Sequence, residues 1–433
     1  MAGGRIVAVG HLAGCRAGRI IDASGLLVLP GAVDPHVHFN DKFMGTVSVH
    51  DYFTGTLAAA HGGVTTVIDF SNQEGEEPLS NTILRKKEEA AGLAVVDWGV
   101  HPVITRPTVK TLKSIVKAVE LGAPTIKCYT TYRNEGLMID FGNLKRILEA
   151  LRRAGGMLMI HAEDNAMIEK NVAALIKAGQ TRPIDHALSR PPEAENRAIR
   201  RAIQAAGETG GRLFIVHLAS ADALELVAGA QARGLDIFAE TCTHYLIFTE
   251  TMLKRRNGIK WICSPPLRSR TVRERLWAAL PHGPIALVSS DDAAYSWKAK
   301  LMGRDRFDRC PNGIPGVEVR LSLLYSEGVR KGRISLARFV DLVAGAPARL
   351  FGLAPEKGSL APGGDADIVL FNPEEKWTMG RRTLHMAADW SAYEGIKVTG
   401  RVKKVFSRGE LIIDGGRFLA EKGRGRFVCR SLE

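Results

Sequence analysis

The stretch Ala32-Val-Asp-Pro-His36-Val-His38 decides how the rest of the chain is read. An apolar, extended run ends here in two histidines spaced two apart. Successive side chains of a strand point to opposite faces, so both imidazoles share one face. Neutral imidazole nitrogens placed this way suit a borderline metal such as zinc. An isolated His-x-His pair is more often a core or surface feature, so its meaning depends on what ends the other apolar runs.

Such runs recur along the chain. Segments rich in Val, Ile and Thr at residues 32–38, 64–70, 97–104, 124–129, 157–162, 212–218, 236–241 and 285–289 read as strands. Between them lie segments of helical period, among them residues 51–61, 109–121, 141–154 and 192–208. About eight strand–helix alternations are what a (β/α)8 barrel requires. A doubly wound open sheet is the rival, weakened because no Gly-x-Gly-x-x-Gly follows the first strand. We therefore expect an α/β protein with a (β/α)8 TIM-type barrel over residues 30–357. The segments 1–29 and 358–433 are β-rich and glycine-punctuated, with strand-like pieces at 5–9, 19–22, 25–29, 367–371, 398–406 and 410–414. They are expected to meet in one small β-sandwich, with residues 415–433 as a basic tail or arm.

Polar residues end several of the apolar runs. His161 closes Met157-Leu-Met-Ile-His161, His217 closes Phe214-Ile-Val-His217, and Asp291 follows Ala286-Leu-Val-Ser-Ser290. In barrels of this type the C-terminal strand ends form one mouth, so these groups would converge with His36 and His38. Any one of them reads as an ordinary core residue; the set reads as a metal centre. Lys127, in Pro124-Thr-Ile-Lys127-Cys-Tyr, joins the same mouth. It is either paired with a nearby carboxylate or present in modified form, because an ammonium repels cations. Carbamylation by carbon dioxide would turn it into an anion with two oxygens able to bridge two metals.

Composition narrows the remaining classes. The 433 residues are 45% hydrophobic and 24% charged, enough for a sizeable core. Lysine and arginine number 59 against 46 acids, giving +13. The basic residues are scattered in short clusters without interleaved aromatics, which reads as a solvated surface and not as a nucleic-acid site. Cysteines 15, 128, 242, 263, 310 and 429 form no Cys-x-x-Cys pair, which points to a reducing cytoplasm and against a thiolate zinc site. No signal core follows Met1 and no run of about 18 apolar residues occurs, so no membrane association is expected.

The chain also resembles the cyclic amidohydrolases, most closely the dihydropyrimidinase and hydantoinase branch. The likeness is carried, in order, by Pro30-Gly-Ala-Val-Asp-Pro-His-Val-His38, Phe43-Met-Gly-Thr46, Asp51-Tyr-Phe-Thr-Gly-Thr56 and Gly62-Gly-Val-Thr-Thr66. It continues through Ile126-Lys-Cys-Tyr-Thr-Thr-Tyr132, His161-Ala-Glu163, Glu240-Thr-Cys-Thr-His-Tyr245, Ser264-Pro-Pro-Leu-Arg268, Pro311-Asn-Gly-Ile-Pro315 and Tyr393-Glu-Gly395. The resemblance implies two divalent metal ions, usually zinc. His36 and His38 would hold one and His161 and His217 the other. Carbamylated Lys127 and a hydroxide would bridge them, and Asp291 would complete the first site and shuttle the proton. It further implies Tyr132 as oxyanion donor, with Tyr129 as rival, and Ser264 and Asn312 as the places that grip a cyclic ureide substrate. Alone, those last two read as turn residues.

The implied reaction is hydrolysis of a 5,6-dihydropyrimidine or 5-substituted hydantoin to an N-carbamoyl amino acid, by a homotetramer or homodimer. Allantoinase-like activity is the nearest rival. A non-catalytic scaffold is disfavoured because every ligand position is filled. Four departures stand out. Asp292 replaces the histidine many relatives carry there. Cys128-Tyr-Thr-Thr131 is more polar than usual and is expected to alter the substrate pocket. Asn40-Asp-Lys42 lacks the arginine by which dihydroorotases grip a carboxylate. The N-terminal segment starts late, so a strand of the small domain is expected to be missing.

Overall fold

The computed structural model describes every residue except Ala13, Cys15 and Glu433, so the expectation for Cys15 lies outside the described residues. Eight parallel strands form one sheet: β1 (Ala32–Val37), β2 (Val64–Asn72), β3 (Asp97–Val103), β4 (Thr125–Tyr129), β5 (Met157–His161), β6 (Arg212–Ile215), β7 (Ile237–Cys242) and β8 (Ile285–Ser289). They neighbour one another in sequence order, the topology of a (β/α)8 barrel and not of a doubly wound sheet.

The seam between β8 and β1 is where a barrel could fall open. Just beyond the two strands, His38 N–H donates to Asp292 O at 2.9 Å and Val37 bridges Asp292. Deeper in, the fully buried Arg320 donates to Val288 O on β8 at 2.8 Å and to Val33 O on β1 at 2.9 Å. One guanidinium thus satisfies backbone carbonyls that the open seam leaves without a strand partner.

Helices cover the outside for reasons legible in the chain. The helix Phe141–Ala154 starts at Asp140, whose carboxylate accepts the Asn143 N–H, and ends at Gly155 in the left-handed region. Its Leu144, Ile147, Leu148 and Leu151 recur at helical spacing and are all buried. The helix Tyr52–His61 is opened by Asp51 and Thr54 in a reciprocal capping box. Inside the barrel, Val33, Ile68, Phe70, Met157, Met159, Phe214 and Leu287 fill the interior and make a solid floor beneath the mouth.

The two ends meet in a five-stranded antiparallel sheet, in the order Leu27–Pro30, Ile368–Thr378, Lys397–Ser407, Glu410–Asp414, Arg417–Phe418. Residues 5–9 and 19–22 are not strands. Arg5 makes only isolated bridges to Ala2 and Asp365, and Val7, Val9 and Ile20 remain exposed. Their β-propensity has no apolar surface to act on. The C-terminal segment is a packed strap and not a free arm. Trp98 pairs through its backbone with Arg426 and Val428, and the buried Arg430 donates to Thr125 Oγ1 and Val100 O.

Barrel and sheet are joined by Lys357, whose buried ammonium lies 2.6 Å from Asp97, 2.8 Å from Asp365 and 2.8 Å from Asp367. Although three carboxylates so close together have the makings of a cation site, the lysine ammonium already sits among them, and Arg408 on Asp97 and Arg5 beside Asp365 supply further positive charge. No described helix is long and apolar enough to cross a membrane. Cys128, Cys242, Cys263 and Cys310 are free and buried, and Cys429 is free and exposed. Because removing one member of a buried ionic cluster strands its partners, Lys357→Met should lower stability by about 3–5 kcal/mol. The test is a urea or thermal unfolding midpoint, which Asp97→Asn in the same chain should partly restore; an unchanged midpoint in Lys357→Met would remove the cluster's structural role.

Candidate metal centre

Each residue expected at the mouth is there, and each is placed by a strand end. His36 lies on β1 and His38 just beyond it, Lys127 lies on β4, and His161 ends β5. His217 and Asp291 each follow their strand by two residues. Both adopt left-handed backbone, with φ of 41° and 48°, as does Tyr132 at 65°. Non-glycine residues seldom occupy this region, and such strain collects where a side chain must be aimed against the preference of its backbone. All three line one pocket together with His36, His38, Lys127, His161, Ser264 and Asn312.

The spacing suits shared ligation. Asp291 Oδ1 lies 3.0 Å from His36 Nε2 and 3.5 Å from His38 Nε2, and the donor atoms of these three residues lie within 4.8 Å of one another. Across the pocket the rings of His161 and His217 are 4.5 Å apart, and His217 is 5.5 Å from His36. Lys127 is fully buried between these groups, over the rings of Phe70 and Tyr129 at 4.7 and 5.1 Å. Its Nζ has no hydrogen-bond partner, and neither has Nδ1 of the buried His217. The carboxylate-paired alternative for Lys127 is therefore not what the described residues form. Burial lowers its pKa to about 8, against the upward pull of Asp291 and Glu240. Burial alone would raise Asp291, yet the imidazoles of His36, His38 and His217 hold its carboxyl well below the usual range.

Behind these groups stands a layer of carboxylates that fixes the rings. His36 Nδ1 meets Glu240, His38 Nδ1 lies 3.0 Å from Asp41, and His161 Nε2 lies 2.7 Å from Glu163. A carboxylate on the far nitrogen orients a ligating imidazole and raises its basicity. Orphaned buried nitrogens at the centre, imidazoles already backed by carboxylates and an anionic Asp291 together fit divalent metal binding. Glu240 and Asp41 were not singled out from sequence as site residues. Glu240 did carry a signal, an acid directly after the apolar Ile237-Phe-Ala239 of a strand; Asp41 carried none.

Two of the departures can be placed. Asp292 points away from the pocket: one oxygen lies 2.6 Å from His50 Nδ1, and the other accepts the backbone N–H groups of Gly316 and Val317 at 2.6 and 3.1 Å. Of the polar stretch after Lys127, Tyr129 lines the metal pocket while Cys128 packs into the outer core. Thr130 Oγ1 donates to Glu163 O at 2.9 Å, and Thr131 contacts Asn165 at 3.2 Å. The two threonines thus anchor neighbouring loops, and Thr131 also lines a cavity beside Tyr132 and Asn312. Between the rival tyrosines, Tyr132 accepts from Asn312 Nδ2 at 3.3 Å, and burial raises its phenol to about 12, so it stays a donor at neutral pH.

Comparison with known proteins agrees with this geometry. A model of the amidohydrolase family matches residues 27–412. The D-hydantoinase of Geobacillus stearothermophilus is 40% identical over 432 residues, 99% of this chain and 92% of the relative. The D-phenylhydantoinase of Escherichia coli is 42% identical over 419 residues, 95% of this chain and 89% of the relative. Among solved structures, the dihydropyrimidinase of Brevibacillus agri superposes with a TM-score of 0.97 at 38% identity, covering 99% of this chain and 94% of that one. With one family model spanning most of the sequence and end-to-end likeness in both sequence and fold, the chain belongs to the amidohydrolase family.

Proposed function

We propose that this protein hydrolyses the ring amide of a cyclic ureide, a 5,6-dihydropyrimidine or a 5-substituted hydantoin, to an N-carbamoyl amino acid. The observation that carries the reading is a single pocket holding four imidazoles, a buried lysine and a carboxylate, faced by Tyr132, Ser264 and Asn312. The relatives' names, D-hydantoinase and dihydropyrimidinase, point to the same substrate class.

In this reading His36, His38 and Asp291 would hold one divalent ion, His161 and His217 would hold the other, and Lys127 as its carbamate would contribute to both. Imidazole and carboxylate donors without a thiolate suit zinc. Such a pair of ions supplies a water acidic enough to act at neutral pH and polarises the ring carbonyl. The chain's own groups do the rest. Asp291 takes the proton of the attacking water and delivers it to the ring nitrogen as the C–N bond breaks, leaving a carboxylate and a ureido group. Tyr132, held protonated, donates to the oxygen on which charge develops. Ser264 and Asn312 hold the flat ring through backbone groups on two loops.

Lys127→Ala should lose bound metal and activity together, with partial recovery in short carboxylic acids; metal content by mass spectrometry is the check, and unchanged stoichiometry would remove Lys127 from the bridge. Asp291→Asn should lower kcat by roughly 10²–10⁴-fold, the range for loss of a positioned acid–base; a steady-state assay in which kcat holds would exclude the proton shuttle. A panel of dihydrouracil, hydantoin, phenylhydantoin, allantoin and dihydroorotate should show turnover of the first three by zinc-loaded protein and none after chelation. Turnover of allantoin alone would move the assignment to the allantoinase side of the family.

A further inference from the structure

Lys300 is a residue that neither the metal centre nor the proton path uses. It ends the short helix Trp297–Lys300, and its side chain is fully buried. Buried lysines are ordinarily matched by carboxylates. Here the ammonium instead donates to three backbone carbonyls: Ile262 O at 3.0 Å, Pro311 O at 2.9 Å and Gly313 O at 3.1 Å. Three donors meet three acceptors, so the group is saturated with no side-chain anion. The face of Trp390 lies 5.9 Å away, and burial lowers the pKa of the ammonium against the upward pull of the Cys310 and Cys263 thiols.

The three carbonyls are not a random set. Ile262 lies two residues before Ser264, and Pro311 and Gly313 flank Asn312. Cys263, Ser264, Asn312 and Gly313 all line the metal pocket. The two segments also touch directly, Gly313 N–H donating to Ile262 O at 3.0 Å. Gly313 sits at φ 158°, and a Cβ there would lie 2.4 Å from Ala293 O, so the close packing of this loop on Ala293 depends on its being glycine. Ile262 O therefore accepts twice, once from the partner segment and once from Lys300.

We propose that Lys300 is a positioning residue for substrate, a tripod that fixes the separation of the two loops between which the ring is gripped. The inference rests on the ureide reading and extends it to specificity: the tripod sets how wide a flat ring the loops accept. A positive charge close behind both loops also biases their carbonyls, drawing electron density toward Lys300 and leaving the adjoining N–H groups stronger donors toward the pocket.

The test uses the full-length, metal-loaded protein with a five-membered ring (hydantoin) and a six-membered one (dihydrouracil). Lys300→Met keeps length and apolar volume but removes all three donors; Lys300→Gln keeps two. We expect KM to rise about tenfold or more in Lys300→Met and less in Lys300→Gln, with kcat changed less than KM. The preference between the two rings should narrow, while metal per chain stays at the wild-type value. A purely structural lysine would lower stability without altering the KM-to-kcat split or the ring preference. Lys300→Met that folds with both KM values and the ring preference unchanged overturns the proposal and leaves the ureide reading standing. Should Lys300→Met not fold, the same readouts on Lys300→Gln decide, wild-type KM values counting against the tripod. If the metal-loaded wild-type protein turns over neither ring nor any other cyclic ureide of the panel, the ureide reading fails and the proposal falls with it; turnover confined to phenylhydantoin or allantoin moves the KM comparison to that substrate.

Discussion

Charge removed from water must be matched at close range by opposite charge or by aligned dipoles, and the mouth of this barrel is arranged around that requirement. His36, Lys127, His161 and His217 have almost no contact with solvent. Around them stand Glu240, Asp41 and Glu163, and Glu163 is held in turn by Arg190 at 2.6 Å. Burial would raise the Glu163 carboxyl, but Arg190 and His161 bring it down to about 2. The arrangement leaves Lys127 as the unbalanced member, a buried amine with no partner of its own. Everything proposed for the chemistry follows from how that imbalance is relieved.

Much of this was legible in the chain. All eight strands fall within a few residues of their expected bounds because each is a largely apolar run, several of them ended by a polar residue, and the barrel places those ends on one side. The six ligand candidates were found by the same logic. Asp41 and Lys300 were hidden for different reasons: Asp41 reaches the His38 ring, three residues back, only because of the turn that follows β1, whereas the significance of Lys300 lies in what it meets across the fold. Nothing in Asn40-Asp-Lys42 or Trp297-Lys-Ala-Lys300 says that one side chain will back His38 or that the other will be sealed among carbonyls. Periodicity reports burial, and partners more than ten residues away leave no trace in it. At the N-terminus the error ran the other way, since Val7, Val9 and Ile20 carry the composition of strands but find no surface to cover.

Two of the buried cations, Lys300 and Arg320, use one device in different places. Each satisfies itself mainly on main-chain carbonyls and so binds together segments distant in sequence. Arg320 holds the first and last strands of the barrel at their seam, with Asp34 as its additional partner at 3.7 Å. Asp292 does the complementary work with a carboxylate, accepting from the backbone of Gly316 and Val317 while His50 occupies its other oxygen. The rigidity of the mouth is thus built largely from side-chain-to-backbone contacts, which fix loop positions more directly than contacts between side chains.

The C-terminal strap bears on how the molecule is made. Arg430 lies among β3, β4 and Phe351, and Trp98 is paired with residues beyond 425. A ribosome adding about 5–20 residues per second needs roughly 20–90 s to deliver all 433 residues. Until residue 289 has been added β1 lacks its closing neighbour β8, and β3 lacks its strap until residues 426–430 follow. Exposed strand edges are sites of mispairing, so the nascent protein has reason to engage a chaperone until its last few residues are released.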